Sequence, residues 1–171
     1  MMESGAFRVG IVACSGVDCL GGVIARMAAG KVISELRPGQ TVGQCLPLFL
    51  TGNMKEQEFA RIYPTITVEG CSQACACGVV EKYSGKVIVS ASVPDVLGSE
   101  IAALPAATEA VVASTYAEKV NAVISDVTAK VDGLLAMLAR MTGEKSKHTC
   151  NCGCGSADSK NCDCSNGCNC I

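Results

Sequence analysis

The chain has 171 residues, which suits one folded domain with an appendage. It is 49% hydrophobic and 18% charged, enough apolar material for a core, and its net charge of -2 gives no electrostatic basis for binding nucleic acid. The single histidine, His148, lies close to the C-terminus. Catalytic schemes that need an imidazole in the folded part are therefore excluded.

Cysteine is the unusual residue of this composition, with 13 copies in two groups, Cys14 to Cys77 and Cys150 to Cys170. The odd total, the dense Cys-x-Cys pattern and the lack of a signal peptide argue against a secreted disulfide scaffold. No apolar run is long enough for a membrane span. The sequence therefore predicts a cytoplasmic protein whose reduced thiols are available to metal ions.

Strand and helix patterns alternate through the first half of the chain. Strands are predicted over residues 7–13, 41–46, 65–68 and 86–91, and helices over 21–36, 55–62 and about 71–82. Such alternation is typical of a parallel sheet with right-handed crossovers. The predicted fold is therefore a three-layer α/β fold, with a parallel sheet of about four strands and helices on both faces.

Three cysteines follow strands of this predicted sheet. Cys14, Cys45 and Cys71 each stand at the carboxyl end of a separate strand, and in open α/β sheets these ends form the edge where ligands bind. Cys75 lies four residues after Cys71 and would share a helix face with it. Four thiols are therefore expected to converge. Cys19, at the start of the first helix, is a fifth candidate whose role stays open.

The turn at Gly70 is expected to lead directly from the third strand into a helix. Cys71 would then lie beside unpaired backbone N–H groups and the positive end of the helix dipole, both of which favour its thiolate. The alternative for Cys71 and Cys75 is a pair of small buried core residues. Cys77 is expected to point away from Cys75, and its role stays open.

A long helix is predicted over residues 108–141, after a loop over residues 92–107. Its apolar residues recur in a heptad pattern, at Ala117, Val120, Ile124, Val127, Val131, Leu134, Leu138 and Met141. The helix either packs this seam on its own domain or forms a homodimer as a coiled coil. Gly133 and the few charged flanking pairs favour the first interpretation, and the charged residues along the helix exclude a membrane span.

The composition changes abruptly after Gly143. The cysteines of this tail are Cys150, Cys152, Cys154, Cys162, Cys164, Cys168 and Cys170. With almost no apolar residue to bury, the tail is predicted to be disordered without a ligand. It resembles the Cys-x-Cys arrays of metallothioneins, which wrap soft ions such as Zn²⁺ or Cu⁺; an oxidation-prone tail without a specific role is the alternative. The predicted division is 1–107 for the α/β domain, 108–143 for the helix and 144–171 for the metal-binding tail.

The folded part resembles the DGC-domain family of zinc-binding proteins over residues 7–93. The matching motifs are ACSG at 13–16, GVIARMAA at 22–29, CLPLFLTG at 45–52, EGCSQACA at 69–76 and EKYSGKV at 81–87. The resemblance implies that Cys14, Cys45, Cys71 and Cys75 form the metal site, and it supplies no reaction. The family is named for an Asp-Gly-Cys triplet. Glu69 stands at its first position, where the extra methylene argues against a fixed hydrogen-bonding role.

Three functions fit these cysteines. The favoured one is a cytoplasmic metal-binding protein that holds zinc through four thiolates and handles or senses metal through its tail. The second is a thiol redox enzyme, with Cys71 as nucleophile and Cys75 or Cys14 as the resolving thiol, although Cys-x-x-x-Cys differs from the usual Cys-x-x-Cys. The third is an iron–sulfur protein on the same cysteines. The expected partners are metal ions, with no nucleic acid and no membrane.

Overall fold

The computed structural model of the chain describes residues 7–141. Its four strands are β1 (Val9–Ala13), β2 (Thr41–Gly43), β3 (Thr65–Glu69) and β4 (Val87–Ser92). They pair in parallel in the order β2-β1-β3-β4, which confirms the predicted parallel sheet. β1 and β3 are neighbours although β2 lies between them in the sequence. A topological switch point, the usual ligand crevice of such sheets, therefore lies at their carboxyl ends.

Eight α-helices lie within residues 7–141. They are α1 (Leu20–Lys31), α2 (Leu46–Leu50), α3 (Met54–Gln57), α4 (Phe59–Ile62), α5 (Cys75–Tyr83), α6 (Val93–Leu97), α7 (Glu109–Thr115) and α8 (Ala117–Met141). A π-helical turn over Val32–Leu36 extends α1, and a 3-10 helix over Ser99–Ala103 follows α6.

Several helix boundaries differ from the sequence-based prediction. The helix predicted over 55–62 is divided at Glu58 into α3 and α4, and the predicted loop over 92–107 contains α6 and the 3-10 helix. Pro94, within this predicted loop, occupies the first turn of α6, where a missing N–H costs nothing. Ser92 accepts a hydrogen bond from the Asp95 N–H at 3.3 Å and caps this helix.

Two apolar clusters cover the two faces of the sheet. Alternate residues of β1 point in opposite directions, so Ile11 belongs to one cluster and Val12 to the other. The first cluster joins the sheet to α1 and α8, and the second joins it to α2, α4 and α5. The structure therefore has the three layers that the alternating sequence predicted.

The long C-terminal helix packs on the chain's own domain. Its predicted seam residues Val120, Ile124, Val127, Val131 and Leu134 are all buried. The helix predicted over 108–141 is interrupted at Tyr116, which packs against the first cluster and separates α7 from α8. Within the part of the chain that the structure describes, no helix is both long and apolar enough to cross a membrane.

An ion pair joins the end of the first helical segment to α8. Arg37 donates from Nε and from a terminal guanidinium nitrogen to the two carboxylate oxygens of Asp132, each at 2.7 Å. These hydrogen bonds outweigh the loss of hydration and hold the pKa of Asp132 below its ordinary value. The pair joins α8 to the segment before β2, at the end of the sheet opposite the cysteines.

Asp132→Asn should lower the free energy of unfolding slightly at pH 7. An acid whose pKa is lowered by folding stabilises the fold above its unfolded pKa of about 3.9, and this contribution is lost as the pH falls through the lower folded value. Denaturation midpoints measured from pH 7 into acid check this, because the difference between wild type and variant should shrink as the pH falls. Glu35→Gln, which removes the exposed pair with Lys31, is the control with a smaller effect. A difference for Asp132→Asn that persists in acid would contradict the assignment.

Candidate metal-binding site

The four predicted ligands all lie at or just after the carboxyl edge of the sheet. Cys14 follows β1 and donates its N–H to the Val68 carbonyl at 2.8 Å, which continues the pairing of β1 with β3. Cys71 lies two residues beyond the end of β3, and Cys75 is the first residue of α5. Cys45 lies two residues beyond β2 and is the N-cap residue of α2. The topology therefore places the four residues at the edge where they were predicted.

Cys14 is the buried member of the set. Its side chain is 4% exposed, and its sulfur accepts a hydrogen bond from the Gly16 N–H at 3.3 Å. A backbone donor aimed at sulfur stabilises negative charge there and holds the side chain in one orientation. Arg26 donates to the Gly16 carbonyl and so holds the same loop from the other side. The position of the Cys14 side chain is therefore fixed.

Close backbone contacts hold the loops of the two central strands together. A Cβ atom at Gly70 would lie 2.5 Å from the nitrogen of Gly22, and one at Gly21 would overlap the Gly70 carbonyl oxygen. A Cβ atom at Gly22 would overlap the carbonyl of Gly16. Only glycine permits this approach between the first turn of α1 and the loops after β1 and β3. The segments that carry Cys14 and Cys71 are therefore fixed relative to each other.

Glu69 is a buried carboxylate at the end of β3, with 2% of its surface exposed. Oε1 accepts the N–H of Cys77 at 2.7 Å, and Oε2 accepts the N–H of Ala76 at 3.2 Å. These are N–H groups of the first turn of α5, which have no partner within the helix. The expectation that the longer side chain would lack a fixed hydrogen-bonding role was wrong, because the carboxylate spans the loop and caps α5.

The position of Cys71 also differs from the expectation. α5 begins at Cys75 rather than at the turn after Gly70, so Cys71 lies in a loop and does not share a helix face with Cys75. The N–H groups that were expected to stabilise a Cys71 thiolate are bonded to Glu69, whose charge opposes the positive end of the helix dipole. The helix-dipole argument for an activated Cys71 was therefore wrong.

Three of the four thiols interact electrostatically. Desolvation, followed by the negative charge of Cys71, Cys14 and Glu69, raises the pKa of Cys75. Cys75 is exposed and Cys71 half-buried, so both side chains have room to rotate. Cys14, Cys71 and Glu69 therefore lie near enough to Cys75 for negative charge on them to oppose its ionisation.

Cys45 is exposed. Unlike Cys14 and Cys71, it does not contribute to the raised pKa of Cys75. Within residues 7–141, no three cysteine, histidine or acidic side chains are arranged, as they stand, to hold one metal ion. The sequence-based prediction that all four sulfurs share one ion therefore stays a prediction.

The remaining cysteines have other surroundings. Cys19 is the N-cap residue of α1 and forms an isolated bridge with Pro105. Cys77 packs against the second apolar cluster, and desolvation together with the carboxylates of Glu81 and Glu69 raises its pKa. The seven tail cysteines predicted to bind metal lie outside the described residues.

Sequence reasoning missed the capping role of Glu69 and the contacts of Gly21, Gly22 and Gly70. The Glu69 contacts span seven and eight residues across a loop, and those of Gly70 with Gly21 and Gly22 join separate parts of the chain. The available signal was the short acid-Gly-Cys triplet at the end of a predicted strand. It places an acid and a glycine at the sheet edge, but it does not show which backbone groups they meet.

A sequence model of the family described as DGC domain matches residues 10–103 of the chain. This range includes the four predicted ligands and all of the four strands except Val9, the first residue of β1. No curated protein and no solved structure matches the chain.

Proposed function

The chain belongs to the DGC-domain family, and from its fold and edge cysteines we propose that it binds a zinc ion through Cys14, Cys45, Cys71 and Cys75. The observation that supports this proposal is the position of Cys14 after β1 and of Cys71 and Cys75 after β3, beside the switch point between these two strands. Several soft, ionisable sulfurs near one buried carboxylate form a donor set that suits a soft dication.

The ligands differ in how firmly they are held. Cys14 is buried with its sulfur hydrogen-bonded, whereas Cys45 and Cys75 are exposed. Zinc binding would therefore begin from a fixed Cys14 and require the exposed side chains to rotate toward it. Cys45 would complete the set from the strand on the other side of β1. Because each thiol loses its proton on binding, zinc affinity should fall in acid.

A closed site of four thiolates leaves no open position for a substrate. We propose that this site holds zinc. The function of the chain is then metal binding, and the tail handles or senses metal. We further propose that the protein acts in a reducing cytoplasm, where the free thiols of the site persist. A homodimer through α8 stays a prediction, and it would need another helix face because the middle of the seam, from Val120 to Leu134, is already buried.

The thiol redox enzyme is the second candidate. It requires a nucleophile whose thiolate is stabilised, and the free N–H groups at the start of the helix were expected to stabilise that of Cys71. Glu69 already occupies these N–H groups and adds negative charge beside the thiols. This observation favours metal binding over redox chemistry. An iron–sulfur cluster uses the same donors and is separated from zinc by experiment.

Elemental analysis after anaerobic purification tests the proposal. The full chain is compared with a full-length variant in which the seven tail cysteines are serine. The proposal predicts one zinc per chain in the serine variant, and more in wild type. A serine variant without metal overturns it. If the protein contains iron and has a visible absorption band, these cysteines hold an iron–sulfur cluster instead of zinc.

The tail is expected to bind metal independently of the folded domain and to exchange it faster. Ligands in the domain are held by a packed sheet, whereas a chain without an apolar core loses conformational entropy each time it wraps an ion. Chelator-driven zinc release from the full chain should therefore show a fast phase that is missing from a chain ending at Gly143. If shortening leaves the metal count and the fast phase unchanged, the tail is not a metal module.

A further inference from the structure

The loop from Gly70 to Ala74 separates the two neighbouring cysteines of the site. Glu69 holds it at one end through β3, and its carboxylate reaches over the loop to the N–H groups of Ala76 and Cys77. One side chain thus joins the last residue of the strand to the first turn of the helix. The distance between the two ends of the loop is thereby fixed.

The conformation of the loop is strained. Ala74 has a φ of 47°, in the left-handed region that residues with a Cβ rarely adopt. Its N–H donates to the Cys71 carbonyl at 3.3 Å and closes a tight turn. A strained residue persists only where its surroundings hold it in place. The hydrogen bonds of Glu69, just after Ala74, are such a restraint.

We propose that Glu69 is the positioning residue of the metal site, setting the separation of Cys71 and Cys75 that zinc requires. This inference rests on the proposed function. The carboxylate acts through the loop and does not need to touch the ion. It closes the turn from Cys71 to Cys75 and so fixes how far apart the backbones of the two cysteines lie.

The charge of Glu69 acts in the same direction. It interacts electrostatically with Cys75, so it adds negative charge beside the thiols. A dication bound nearby is stabilised by that charge, whereas an anionic or neutral ligand is not. The amide of Glu69→Gln keeps the shape of the side chain but removes the charge and leaves one oxygen to accept both N–H groups.

The test measures zinc affinity by chelator competition, in full-length protein whose seven tail cysteines are serine. Glu69→Gln should weaken zinc binding about 10- to 100-fold, the usual effect of removing a partner that orients metal ligands. Glu69→Asp, which keeps the charge, should lie between Glu69→Gln and wild type. The visible spectrum of bound Co²⁺ should change in Glu69→Gln, because the backbone separation of Cys71 and Cys75 is no longer fixed.

Two control variants separate positioning from stability and from charge alone. Thr108→Ala removes the side-chain cap of α7, which accepts from the Val111 N–H, and should lower stability without changing zinc affinity. Glu81→Gln removes an exposed acid of α5 that influences Cys77 but makes no contribution to Cys75, so it should also leave affinity unchanged.

The outcomes distinguish this inference from the proposed function. If the full-length protein with serine at the seven tail cysteines and no other change binds no zinc, the proposed function and the role of Glu69 are both overturned. If it binds zinc and Glu69→Gln binds equally well with the same Co²⁺ spectrum, only the positioning role is overturned. An equal loss in Thr108→Ala would also overturn it, because the effect would then be one of general stability. If Glu69→Gln does not fold, Glu69→Asp decides: weaker zinc binding with an altered Co²⁺ spectrum supports the role, and wild-type behaviour overturns it.

Discussion

Cys71→Ser should abolish stoichiometric zinc binding by the domain, measured in full-length protein whose tail cysteines are serine. A hydroxyl is a poor replacement for a thiolate ligand of zinc, and the remaining three ligands leave the ion open to water. The variant also loses the part of the free energy of unfolding that bound zinc contributes. At a free zinc concentration about 100 times the dissociation constant, this linkage amounts to about 2.7 kcal/mol.

The metal-free proteins provide the necessary comparison. Without zinc, Cys71→Ser and wild type should unfold within about 0.5 kcal/mol of each other, because Cys71 lies in a loop and is half-buried. Cys19→Ser is the matched control: Cys19 is the N-cap residue of α1, where serine is a favourable residue, and it is outside the four proposed ligands. Undiminished zinc content in Cys71→Ser, or equal loss in Cys19→Ser, would show that the ligands are assigned wrongly.

Gly21→Ala should destabilise the fold strongly, whereas Gly30→Ala in the same helix should not. A methyl group at Gly21 would overlap the Gly70 carbonyl oxygen, and both partners of this clash are backbone in packed elements. Such overpacking costs about 1–3 kcal/mol, or more where the backbone cannot shift. A Cβ atom at Gly30 meets nothing within 4 Å, so alanine there should raise stability by about 0.5–1 kcal/mol.

Urea denaturation of the metal-free variants measures both changes. A further consequence concerns the site, since moving Gly70 also moves Cys71, the next residue. If the Gly21→Ala variant folds, it should therefore bind zinc more weakly than the Gly30→Ala variant. Equal denaturation midpoints for the two variants would refute the view that the glycine contact fixes the two loops.

Much of the fold could be predicted because its determinants are local. Buried strands such as β1 and β3 read as short apolar or β-branched runs, and their alternation with helical patterns predicts a parallel sheet. Once the sheet is parallel, the cysteines that follow its strands must lie at one edge. The placement of Cys14, Cys45 and Cys71 followed from that topology alone.

The start of α5 could not be predicted in the same way. The segment after Gly70 contains alanine and no proline, so its propensity favours a helix from Cys71 onward. In the structure Glu69 binds the N–H groups of Ala76 and Cys77 and sets the beginning of the helix at Cys75. A single tertiary contact therefore overrides propensity, and it determines which backbone donors remain for the thiols.

Breaks in the other helices also depend on tertiary packing. Tyr116 packs against the first cluster and separates α7 from α8, although the sequence predicts one continuous helix there. Pro94 is compatible with a loop and with the first turn of a helix, and only the cap from Ser92 decides between them. Local sequence leaves both alternatives open in such places.

The central claim is that four thiolates hold one ion at the carboxyl edge of the sheet. Zinc-edge X-ray absorption of the full-length protein with serine in place of the tail cysteines tests it most directly. We predict four sulfur neighbours at about 2.3 Å, falling to three in Cys45→Ser, which lacks the thiol after β2 and is measured at a zinc concentration high enough to load its weakened site. Nitrogen or oxygen neighbours in the unsubstituted site, or a spectrum that Cys45→Ser leaves unchanged, would contradict the four-thiolate site.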